Sequence, residues 1–227
     1  MAADMIDGRR MLGGAATERR IAVVAAGLSQ PSSTRMLADR IAESVVNDLD
    51  RRGVSARVDT IELRDIARDV TNNLVTGFPS AALAEHIETV IGADGLIAVT
   101  PIFTTSYSGL FKSFFDILDP KSLTDMPVLI GATGGSERHS LALDYAMRPL
   151  FTYLHGIVVP TAVYAASSDW GSAADTGADT SALQERIDRA ASELGALVAV
   201  SDRSSRVADP FELSGDFGAL LGGFEVA

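Results

Sequence analysis

Gly27-Leu28-Ser29-Gln30-Pro31-Ser32-Ser33-Thr34-Arg35 and Thr100-Pro101-Ile102-Phe103-Thr104-Thr105-Ser106-Tyr107-Ser108-Gly109-Leu110-Phe111-Lys112 each follow a short apolar run of strand length and each lead into an apolar-periodic helix. The runs are Arg20 to Ala26 and Gly95 to Thr100. In an open α/β sheet, loops at the carboxyl ends of parallel strands converge on the ligand crevice. The first loop is rich in hydroxyls and opens a helix, which suits a phosphate. The second brings a proline, a phenylalanine and a tyrosine to the same edge, which suits a planar ring. Together they read as a mononucleotide site.

Outward from these loops the pattern repeats. Residues 33–50 place Met36, Leu37, Ile41, Val45 and Leu49 at helical spacing, with Ser32 or Ser33 as N-cap and Arg51-Arg52-Gly53 as the stop. Val54 to Ile61 alternates like a strand, and residues 62–78 suggest a short helix followed by a loop. Helices are expected at 80–91, 108–118, 140–154 and 181–200, and strands at 127–132 and 157–165. Alternation of this kind predicts a parallel sheet covered by helices on both faces. Five strands fit the α/β, flavodoxin-like, doubly wound order 2-1-3-4-5, whose switch point lies between strands one and three, flanked by the two loops. The expected organisation is a flexible segment at 1–18, one domain at 19–200, and a tail at 201–227 that is either disordered or packed on another subunit.

Composition narrows the function. The 227 residues and 47% hydrophobic content support one domain with a substantial core. With 19 Lys+Arg against 30 Asp+Glu, the net charge of -11 disfavours nucleic acid and anionic membrane surfaces as partners. The absence of Cys excludes disulfides, thiolate metal sites and cysteine nucleophiles, so redox chemistry requires a bound cofactor. No run has the length of a membrane span, and the Met11 to Ala16 patch is too short and glycine-broken for a signal peptide, so a cytoplasmic location is expected. The three histidines, His86, His139 and His155, show no zinc spacing, and no metal is expected. Neither a GxGxxG fingerprint, a Walker A sequence nor a G-x-S-x-G elbow is present.

Each motif also has a plainer reading. Taken without context the first loop reads as an ordinary serine-capped helix with Arg35 in solvent, and its place after the first strand of a doubly wound sheet is what favours the phosphate. Phe103 equally suits a core aromatic, and Lys112 a solvated lysine. A third loop, Gly131-Ala132-Thr133-Gly134-Gly135-Ser136-Glu137-Arg138-His139, places paired glycines at a strand's carboxyl end, either as a connection needing positive φ or as backbone donors for a polar ring edge. The isoalloxazine of FMN has such an edge.

Taken together, the three loops resemble the NAD(P)H-dependent FMN reductases. Thr100-Pro101-Ile102-Phe103 with Ser108-Gly109-Leu110-Phe111-Lys112 is similar to that family's TP-x-Y…GxLK segment. Ala132 to Ser136, His139 and Asp144-Tyr145-Ala146-Met147-Arg148-Pro149 are similar to its sulfonate-utilisation branch. The resemblance covers roughly residues 20–165, with the loops in the expected order. It implies hydride transfer from NADPH or NADH to N5 of FMN without an essential acid or base side chain. It also implies a flavin-dependent monooxygenase as recipient of reduced FMN, and a homodimer or homotetramer, for which Tyr145, Met147, Leu150, Phe151 and Tyr153 are the apolar candidates. Carried over by position, Ser29, Ser32, Ser33, Thr34 and Arg35 match the phosphate loop. Pro101, Ile102, Phe103 and Thr104 match the loop along the flavin, with Ser106 and Tyr107 beyond it. Thr133, Gly134, Gly135 and Ser136 match the pyrimidine edge, with His139 beside it.

Two departures stand out. The family often has Gly-Ser-x-Arg where this chain has Gly27-Leu28-Ser29-Gln30, leaving Arg35 as the substitute cation, and Phe103 stands where tyrosine is frequent. The rival readings are an FMN-bound quinone or azo reductase, a flavodoxin-like electron carrier without NAD(P)H oxidase activity, and a flavin-free interaction domain on the same fold.

Overall fold

The computed structural model describes residues 18–170 and 180–203. The expectations for residues 1–17 and for the tail from 204 onward lie outside the described residues. In chain order the elements are β1 (Arg19–Ala25), α1 (Ser33–Arg51), β2 (Ala56–Glu62), α2 (Ala67–Thr76), α3 (Ala81–Ile91), β3 (Gly95–Phe103), β4 (Ser106–Tyr107), α4 (Gly109–Asp116), β5 (Pro127–Gly134), α5 (Arg148–Tyr153), β6 (Ile157–Val158), β7 (Val163–Ala166) and α6 (Thr180–Ala199).

The sheet runs β2-β1-β3-β5-β6, with β4 paired antiparallel to β3 and β7 paired to β5. Every pairing except β3 with β4 is parallel. The α/β flavodoxin-like architecture with helices on both faces is therefore present. The five-strand count is corrected to seven, and the order differs at its last positions. The strand expected at 157–165 is two short strands, because Pro160 lacks the N–H that would continue the ladder. The extra strand β4 arises where Thr104 and Thr105 adopt φ of 49° and 71° and fold the chain back on β3. The helix expected at 140–154 is a π-helical turn, Leu143–Met147, running into α5.

Strand alternation divides the core in two. Ile21, Val23, Ala25, Ile97 and Val99 face α1 and α6, meeting Leu37, Ile41, Val45, Leu183, Ile187 and Leu194. Ala22, Val24, Leu96, Ala98 and Ile130 face the other layer, where Val70, Leu83, Phe111, Phe114, Phe115 and Phe151 are buried. Phe111, Phe115 and Phe151 form an aromatic cluster with centroids 4.7–6.2 Å apart, within the range of favourable ring contacts.

The amino-end edge of the sheet is closed by Arg203. Its buried guanidinium donates to the carbonyls of Thr124 and Ala93, both at 3.0 Å, and to those of Ile91 and Ser122. Among the described residues, no helix is long and apolar enough to cross a membrane. Among the described residues, too, no group of three or more His, Cys, Asp or Glu is placed to hold a metal.

Candidate functional site

The β1–α1 connection is shaped by a close approach. Ser32 is the N-cap of α1, with extended backbone (φ -114°, ψ 116°), and its Oγ accepts the Arg35 N–H at 3.2 Å. A Cβ on Gly27 would sit 2.0 Å from that Oγ, so only glycine lets the loop close over its own cap. Ser29 Oγ donates to the Pro31 carbonyl at 3.0 Å, and Arg64 Nη1 donates to the Ser29 carbonyl at 2.8 Å. The first-turn N–H groups of Ser33 and Thr34 have no acceptor within the helix and carry the positive end of its dipole.

At the end of β3, Pro101 is buried, Ile102 half-buried and Phe103 exposed. Behind them, Thr100 Oγ1 accepts the Ser108 N–H and donates to the Pro101 carbonyl, both at 3.1 Å, fixing where the loop leaves the strand. Ser108 in turn caps α4 by accepting the Phe111 N–H at 3.2 Å.

The β5 loop is held from two sides. Thr34 and Thr133 share a buried hydroxyl–hydroxyl bond of 2.8 Å that joins the start of α1 to the end of β5. Tyr164 on β7 donates its phenol to the Ser136 carbonyl at 2.8 Å, and its own carbonyl accepts from Arg186 Nη1 at 2.8 Å. A Cβ on Gly134 would lie 2.0 Å from the Tyr164 oxygen. Burial, reinforced by the Asp169 charge, pushes the Tyr164 phenol above the ordinary tyrosine value, so it remains a donor.

These three loops enclose a cavity of about 430 Å³ lined by Leu28, Ser29, Ser33, Thr34, Pro101, Ile102, Phe103, Thr133, Gly134, Gly135, Ser167 and Trp170. The structure thus brings together the sequence-predicted residues Ser29, Ser33, Thr34, Pro101, Ile102, Phe103, Thr133, Gly134 and Gly135. It places Ser32, Arg35, Thr104, Ser106, Tyr107, Ser136 and His139 outside the lining. Ser32 and Ser136 act as caps and Ser106 pairs with Phe103 in the hairpin. Tyr107 packs 5.8 Å from the Phe111 ring and faces a different cavity with Tyr145 and Tyr153. His139 lies exposed in a 3-10 turn.

Arg35 is turned to β2. Its Nε binds Asp39 at 2.7 Å and its Nη1 binds Glu62 at 2.6 Å, and these carboxylates hold the guanidinium above its ordinary pKa despite partial desolvation. The role of substitute phosphate cation is not the one this geometry gives it.

Sequence reasoning did not single out Leu28, Ser167, Trp170 or Arg64. Trp170 ends a 3-10 turn after β7, with Arg40 stacked 5.1 Å from its ring centroid. A lone tryptophan opening a stretch of small polar residues just past a strand was the available signal. Arg64 had none, because its role depends on the pairing of β2 with β1.

The family model for NADPH-dependent FMN reductase matches residues 19–171. An FMN reductase (NADPH) of Pseudomonas aeruginosa is 36% identical over 151 residues, covering 66% of this chain and 78% of that protein. The NADH-dependent FMN reductase SfnE of Pseudomonas putida is 35% identical over 175 residues, covering 77% and 90%. Among solved structures, an oxidoreductase from Corynebacterium diphtheriae superposes with a TM-score of 0.76 at 47% identity, covering 80% of this chain and 97% of that one. The cavity stands at the carboxyl edge of a flavodoxin-like sheet, and the chain that builds it belongs to the NADPH-dependent FMN reductase family.

Proposed function

We propose that this chain is an NAD(P)H:FMN oxidoreductase that binds FMN in the cavity between the β1, β3 and β5 loops. The observation that carries the reading is the chemistry of that cavity's wall. Hydroxyls of Ser33 and Thr34 and the open first turn of α1 supply donors for a phosphate ester at one end. Pro101, Ile102 and Phe103 supply an apolar wall for a flat ring, and the Thr133–Gly135 backbone supplies donors and acceptors for the ring's polar edge. The residues present therefore fit FMN. When bound, FMN supplies an electrophilic N5 that takes up a hydride from reduced nicotinamide.

The chain's own contribution is placement. Pro101, Ile102 and Phe103 would hold the ring on one side and the Thr133–Gly135 loop its polar edge, positioning it for hydride transfer. Phe103 is 47% exposed, so the site has an open side. We assign the reduced product to a flavin-dependent monooxygenase in the cytoplasm. The exposed Tyr145 and Tyr153, beside a cavity that also holds Tyr107 and Leu150, are the face we assign to a homodimer or homotetramer.

The test is anaerobic NAD(P)H oxidation with FMN, FAD and riboflavin supplied in turn, while flavin bleaching is followed. Saturable bleaching that prefers FMN supports the reading. Absence of bleaching with either nucleotide refutes it and leaves a carrier or an interaction domain, which an FMN titration separates.

A further inference from the structure

The anion end of the cavity sits beside two arginines, yet among the described residues no charged side chain lines it. Between the two arginines stands Glu62, the last residue of β2, next to Ala25 of β1 across the ladder. Its Oε1 binds Arg35 Nη1 at 2.6 Å and its Oε2 binds Arg64 Nη2 at 2.5 Å. Arg35 is further held by Asp39, and Arg64 by the Ser29 carbonyl and by Asp65 at 3.6 Å. Two cations thus face three carboxylates: Arg35 binds protein oxygens through Nε and Nη1 and Arg64 through Nη1 and Nη2, while Arg64 Nε is buried with only the longer ion pair to Asp65. Ser29 Oγ likewise gives its proton to Pro31.

We propose that Glu62 is a specificity-determining residue: by neutralising Arg35 and Arg64 it leaves the flavin phosphate to be read by hydroxyl and backbone N–H donors alone. The proposal rests on the flavin reading above. Its consequence is that the chain tells FMN from riboflavin through hydrogen bonds, with little long-range attraction, and that removing the Glu62 charge strengthens recognition of the phosphate.

The experiment is a fluorescence titration of the full chain with FMN and with riboflavin, in about 0.02 M and about 0.5 M salt, between which the screening length falls from roughly 20 Å to below 5 Å. The wild-type ratio of the two affinities is expected to change less than about twofold across that range. In Glu62→Gln, FMN binding is expected to tighten by about fourfold in low salt, with riboflavin unchanged and the gain lost in high salt. A wild-type FMN affinity that drops steeply with salt while riboflavin does not would show a cation reading the phosphate and overturn the proposal. So would a Glu62→Gln variant that weakens FMN, since Glu62 would then only brace the loop through Arg64. Binding of neither flavin would instead overturn the flavin reading, and this proposal with it.

Discussion

Thr34 and Thr133, ninety-nine residues apart, share a buried 2.8 Å hydroxyl bond that fixes the start of α1 against the end of β5. Thr133→Val leaves the Thr34 hydroxyl buried without this partner, and the expected cost is about 1–3 kcal/mol. Replacing both by valine removes donor and acceptor together and is expected to recover most of that loss. Urea unfolding checks both, with a shifted midpoint at an unchanged slope.

Gly134→Ala forces its new methyl onto the Tyr164 oxygen, which must move and release Ser136. A destabilisation of about 1–3 kcal/mol is expected, together with weakened flavin binding. Tyr164→Phe removes the obstructing oxygen, so the double variant should be more stable than the sum of the two single losses predicts. A double-mutant cycle by thermal unfolding reads this directly.

The Tyr164 phenol also sets an alkaline limit. Its folded pKa is raised, so the native state keeps a proton that the unfolded chain has begun to lose near pH 10. Its stabilising effect is fully present below that pH and is lost as pH climbs through the folded value. Wild type should show a steeper loss of stability above about pH 10 than Tyr164→Phe, measured as unfolding midpoints across an alkaline series.

Phe103 is exposed, so Phe103→Ser should leave stability within about 0.5 kcal/mol of wild type. Flavin affinity should nevertheless fall about tenfold, because the ring's apolar wall is lost. Equal binding by the two proteins would move the flavin off this wall.

Arg203→Met should act in the opposite sense. It strips donors from four backbone carbonyls at the amino-end edge of the sheet, far from the loops that build the cavity. An expected loss of about 2–4 kcal/mol with unchanged FMN affinity, measured below the unfolding transition, would separate scaffold from site.

Much of the site was legible because the physics was local. Strand-length apolar runs at 20–26, 95–100 and 127–132 ended in the three loops that meet in space. What escaped depended on long-range pairing. Arg35 looked like an anion ligand until β2 carried Glu62 to within 2.6 Å of it, across a separation of 27 residues. Threonines do not advertise a left-handed turn, so the Thr104–Thr105 hairpin and the removal of Tyr107 from the cavity were hidden. Ser167 and Trp170 entered the lining only because β7 pairs beside β5.

The chain has a single tryptophan, and it stands in the wall of this cavity. All indole emission from the protein therefore originates at one place, beside the pocket assigned to a yellow ligand that absorbs where indole emits. Occupancy becomes an optical quantity of the unlabelled protein: each arriving flavin dims one known lamp, and stopped-flow mixing can time its entry and departure without a reporter group.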